Sequence, residues 1–91
     1  MRIRWTVPAA DDLTNINNYL QKHYPQFAES TVRAIYEHVR SLKTMPNRGR
    51  PGHRGGTREL VLSSLPYIVV YRVTDETVEV LHLYHGAQDW R

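Results

Sequence analysis

Tyr67-Ile-Val-Val-Tyr-Arg-Val73 is the strongest strand signal in the chain. Apart from Arg72 it is entirely β-branched or aromatic, the composition that suits a pleated, buried surface. So continuous an apolar run predicts a strand covered on both faces, and therefore a central one. Upstream stands Thr57-Arg-Glu-Leu-Val-Leu-Ser63, separated from it by the turn residues Ser63-Ser-Leu-Pro66. Downstream, the polar Thr74-Asp-Glu-Thr77 leads into Val78-Glu-Val-Leu-His-Leu-Tyr84. Three strands joined by turns this short predict an antiparallel meander.

Working back toward the N-terminus, the period changes. Ala28, Val32, Ile35, Val39 and Leu42 recur at helical spacing, with Arg33, Glu37 and Arg40 between them, and Met45-Pro46 ends the run. A helix beginning near Pro25 or Gln26 follows. Before it, Ala9, Leu13, Ile16 and Leu20 form a second helical stripe, and Tyr24-Pro25 terminates that helix. Pro8 suits its first turn. Asp11 and Asp12 are expected in that turn too, where negative charge complements the helix dipole, with Asn15 and Asn18 also outward. Arg2-Ile-Arg-Trp-Thr-Val7 alternates, which predicts a short strand burying Ile3, Trp5 and Val7. The order β-α-α-β-β-β makes an α+β domain, a helix hairpin packed on a small, mainly antiparallel sheet.

At 91 residues, positions 1–91 form a single domain. The apolar share of 41% and charged share of 23% are those of a folded chain rather than a disordered one. There is no cysteine, which excludes disulfides and thiolate metal sites. No run reaches membrane-spanning length, and Met1 opens directly on a strand rather than a signal segment, so a cytoplasmic protein is expected.

Charge is concentrated. Ten of the twelve basic residues are Arg, and residues 46–58 carry Arg48, Arg50, Arg54 and Arg58 with no acid. The guanidinium fork suits carboxylates and phosphates, so this Gly-rich segment is either a solvated loop or an anion-facing surface. The glycines match neither the P-loop nor the dinucleotide fingerprint. The five His lack metal-binding spacing, and nothing in the sequence calls for a cofactor. His85, closing the last strand, has three readings: a backbone cap, an acid–base group, or a partner contact. Arg58 and Arg72, on adjacent strands, are expected to reach one surface, with Glu59 and Glu79 as ion-pair partners for Arg72. Trp90 is expected to cover the sheet edge or to stack on a base.

One ordered pattern spans nearly the whole chain. It consists of Trp5, Ala9, Asp12, Leu13 and Ile16, then Gly49-Arg50, Thr57-Arg58-Glu59-Leu60, Pro66-Tyr67 through Tyr71-Arg72-Val73, and Leu83-Tyr-His85-Gly-Ala-Gln88. It resembles the RelE/ParE superfamily, the toxins of type II toxin–antitoxin (plasmid stabilisation) modules. The resemblance implies a cognate antitoxin, and one of two targets. RelE-like members cleave mRNA on the ribosome; ParE-like members inhibit DNA gyrase. In the RNase branch an Arg commonly stands three residues before the Tyr of Val-Tyr, where this chain has Ile68. Losing such a charge-stabilising donor costs ~10²-fold or more. The resemblance therefore favours a ParE-like gyrase inhibitor that is not an enzyme. The helix hairpin and the Arg48–Arg58 segment would contact the target, and Arg58, Arg72, His85 and Trp90 would form the sheet-side surface. A nuclease would instead have to assemble His85, Arg58 and Arg50.

Overall fold

A computed structural model describes residues 1–62 and 64–87. Its elements are β1 (Arg2–Trp5), α1 (Val7–His23), α2 (Pro25–Arg40), a 3-10 turn (Ser41–Lys43), β2 (Arg50–Pro51), β3 (Arg58–Val61), β4 (Tyr67–Thr74) and β5 (Thr77–His85). Among the described residues the strands form one sheet in the order β1-β5-β4-β3-β2. The meander is antiparallel, β1 runs parallel to β5, and β4 is central as its composition requires. Val69 and Tyr71 are buried on one face of β4; on the other only Val70 is, with Ile68 half-buried and Arg72 exposed, so the expected two-sided cover is met only at the middle of the strand.

The hairpin follows from two local signals. Thr6 is extended and its hydroxyl accepts the Ala9 N–H, which caps α1 two residues before Pro8. Tyr24, preceding Pro25, is kept out of helical geometry at φ −143°, so one residue separates α1 from α2. The stripe Ala9, Leu13 and the seam Ala28, Ile35, Val39, Leu42 are buried, most of them against Leu60, Val69, Tyr71, Val78, Val80 and Leu83 of one sheet face. Among the described residues the opposite face carries no helix.

Three expectations are corrected here. Val7 belongs to α1 rather than β1 and is 74% exposed, because the strand ends once Thr6 turns to cap the helix. With α1 starting at Val7, Asp11 and Asp12 stand beyond the first turn and do not answer the dipole there. Asp12 is not outward. It flanks the buried stripe beside Leu13, and its carboxylate accepts the Leu83 N–H at 3.0 Å and lies 3.3 Å from His82 Nδ1. The reason is topological: β1 pairs with β5 only as far as Val80, so the β5 edge beyond it needs another partner. Thr6 and Asp12 supply it, the Thr6 hydroxyl donating to Val80 O at 2.7 Å. A bulge lies at the same place, where Val70 pairs with His82 but Tyr71 pairs with Val80.

Candidate functional site

Register determines which side chains share the helix-free face. Directly paired residues point the same way, and three of the rows on this face bear on the site. Arg50, Glu59, Val70 and His82 cross β2 to β5 in one; Val61, Ile68 and Tyr84 form the second; Arg72, Glu79 and Arg4 form the third. The two acids are largely enclosed by their partners. Glu79 accepts from Arg72 Nε at 2.6 Å and from Arg4 Nη1. The Arg72 hydrogen bond, aided by the charges of Arg72 and Arg4, holds the Glu79 carboxyl below its ordinary value of 4.5. Glu59, 2% exposed, accepts Arg50 Nε at 3.2 Å and Nη2 at 3.0 Å. Arg72 thus pairs with Glu79 as expected, whereas Glu59 serves Arg50 instead.

The basic segment is folded down rather than loose. Tyr71, in the middle of the core, donates its hydroxyl to Pro46 O at 2.7 Å and accepts the Gly49 N–H at 2.8 Å. Burial raises the Tyr71 phenol above its ordinary 10.0, against the lowering effect of the Gly49 hydrogen bond and of Arg58 and Arg48, which keeps the donating proton in place. Gly49 is obligatory for this approach, since a Cβ there would stand 2.8 Å from the Tyr71 ring and hydroxyl and 2.9 Å from Glu59 O. Arg58 Nη1 donates to Gly49 O at 2.8 Å, Arg48 Nη1 to Ser41 Oγ at 2.6 Å, and Gly52 N to Thr57 O at 2.8 Å. Arg50–Pro51 then adds β2 to the sheet. A strand of two residues, one of them Pro, leaves no periodic trace in sequence.

These contacts separate the candidate residues. Arg58 is opposite Tyr71 and lies on its helix side, whereas Arg72 lies on the helix-free face. They do not share a surface, because neighbouring positions on β4 alternate. His85 is opposite Tyr67, also on the helix side, with the two rings edge to face at 5.7 Å. Its Nδ1 accepts the Ala87 N–H at 3.0 Å, the backbone-capping arrangement. Tyr67 and Tyr71 are four residues apart on β4, roughly 13 Å at strand rise, and Arg50 lies on the other face. His85, Arg58 and Arg50 are therefore not brought together. Arg54 joins Thr57, Val70, His82 and Tyr84 around a hollow of about 770 Å³ that Thr6 and the α1 residues Pro8 and Asp12 also line. Trp90, expected on that sheet surface, lies outside the described residues.

Asp12, Glu59 and Tyr71 are the positions whose structural weight the sequence conveyed least. The local signal that could have found Asp12, read instead as outward, is its spacing, three residues after buried Ala9 on the sheet-facing flank of α1. Among the described residues no group of three or more His, Asp and Glu is gathered as a metal ion would require. No helix there is long and apolar enough to cross a membrane.

Comparison with known proteins agrees with this architecture. The family model "ParE toxin of type II toxin-antitoxin system, parDE" matches residues 3–90. The chain is 43% identical to the Sinorhizobium fredii protein Y4kP over 98% of its own length and 92% of the relative's. It is 32% identical to toxin RelE2 of Caulobacter vibrioides, covering 96% and 97% of the two chains. In three dimensions it is similar to a chain of the chromosomal ParDE system from P. aeruginosa, with TM-score 0.86, 31% identity, and 93% and 95% coverage. A chain of the RelBE2 toxin–antitoxin complex from Mycobacterium tuberculosis superposes with TM-score 0.64 at 29% identity, covering 92% and 95%. The chain belongs to the ParE toxin family of type II toxin–antitoxin systems, within the RelE/ParE superfamily.

Proposed function

We propose that this toxin arrests growth by binding DNA gyrase in the cytoplasm, without catalysis, and that a cognate antitoxin from the same plasmid-stabilising type of module neutralises it. The observation that carries the reading is the row Val61–Ile68–Tyr84. Hydrolysis of RNA through its 2′-hydroxyl requires a base, an acid and phosphate neutralisation within one site. Here the β4 position that would hold the phosphate charge is aliphatic, set between another aliphatic residue and a tyrosine. The separation of His85 from Arg50 and Arg58 supports the same conclusion.

A binding role suits what remains. With both acids of the helix-free face enclosed by Arg partners, the charge it offers outward is positive. Positive potential on a small rigid scaffold accelerates encounter with an acidic protein surface. The antitoxin partner is supported by the relatives, which were solved as toxin–antitoxin systems. A supercoiling assay tests the reading: the purified chain should inhibit gyrase, and Arg48→Glu with Arg54→Glu, both exposed and clear of the Arg50–Glu59 pair, should weaken inhibition while leaving the circular-dichroism spectrum unchanged. Full inhibition by that double variant would remove the basic segment from the contact.

A further inference from the structure

Glu59 is the only charged residue buried among the described residues, and it lies beneath the basic segment. Its Oε1 receives both Arg50 nitrogens; its Oε2 has no hydrogen bond within the described residues and lies 3.8 Å from His53 Nε2. The Arg50 side chain is itself 57% exposed, so the compensation for burying this carboxylate is partial. Taking a carboxylate out of water is costly, and replacing a buried ion pair by apolar side chains of similar volume is often neutral or stabilising. The cross-strand neighbour Val70 shows that an apolar side chain is accommodated in this row. Stability alone therefore does not explain a glutamate here.

What the carboxylate does have is direction. Arg50, on edge strand β2, is aimed across the sheet, and the His53 imidazole at the turn that follows faces the same group. The other end of the segment is fixed by Tyr71 and Arg58. We propose that Glu59 is a positioning residue for target recognition: it fixes how Arg50 and the His53–Arg54 turn are presented, and contributes to binding through that orientation rather than through fold stability. This rests on the reading that the basic segment contacts the target.

The test separates presentation from stability. Glu59→Gln and the apolar Glu59→Met are compared with the parent as full-length proteins by thermal melt, by amide hydrogen exchange over residues 50–57, and by gyrase inhibition. Melting of Glu59→Met should be equal to or above that of the parent. Exchange over 50–57 should quicken about tenfold in both variants while β4 stays protected. Inhibition should weaken about tenfold in both. Unchanged exchange, or a fall in melting temperature that tracks the loss of inhibition, would overturn the proposal and leave Glu59 a structural residue. Quickened exchange with full inhibition would overturn it too. The charge-reversed double variant assigns the fault: if it also inhibits fully, the target reading has failed; if it does not, the positioning role has.

Discussion

Replacing Tyr71 by Phe removes one oxygen and tests how the basic segment is tied to the core. The ring is fully buried, and its hydroxyl bridges Pro46 O and Gly49 N. Gly49 is buried as well, so in the variant its N–H loses its acceptor where water has little access. A buried donor left unsatisfied costs about 1–3 kcal/mol. For a domain of this size that is a fall in melting temperature of roughly 5–15 °C. Amides near Gly49 should lose protection first, since the segment is released before the sheet. The phenol adds a pH signature. Its folded value is raised above 10.0, so the protonated form is favoured by folding. That stabilisation is complete below pH 10 and is lost as pH rises through the raised folded value. The parent should therefore lose stability in alkali more steeply than Tyr71→Phe, with the part due to Tyr67, also raised by burial, common to both. A variant within about 0.5 kcal/mol of the parent at neutral pH, with an identical alkaline profile, would refute the bridging role.

Other perturbations test neighbouring parts. Gly49→Ala forces a methyl against the Tyr71 ring and the Glu59 carbonyl, and should cost about 1–3 kcal/mol by chemical denaturation. Asp12→Ala leaves the Leu83 N–H without its carboxylate and should cost about 1–3 kcal/mol, read by the same method, with exchange at Leu83 the first to rise. Glu79 is held below 4.5, so its contribution is present at neutral pH and is lost as pH falls through that lowered value. An acid titration followed by circular dichroism should accordingly be shallower for Glu79→Gln than for the parent.

The fold was largely legible because its signals are periodic. The seam from Ala28 to Leu42 and the run Tyr67–Val73 each point to one arrangement, and turn residues fall between the strands. What escaped was set by pairing across the chain. Nothing local to Asp12 says that the pairing of β1 with β5 stops at Val80 and leaves the Leu83 N–H to be satisfied. Likewise, adjacency of strands put Arg58 and Arg72 together, but a register in which Arg58 meets Tyr71 sends them to opposite faces. The basic segment was visible as charge. Its docking was not, since that depends on a tyrosine hydroxyl from β4 and a glutamate one residue beyond the Arg cluster. The family was readable from ordered residues spread along the chain, while the proposed choice of target rests on one side-chain position, Ile68.

The most direct measurement offers one preparation of the purified toxin to both candidate targets in parallel. Incubated with gyrase and relaxed plasmid, it should block supercoiling, and with translating ribosomes it should leave the messages intact. Messages cut at defined codons, with cutting lost in His85→Ala and supercoiling unaffected, would contradict the account.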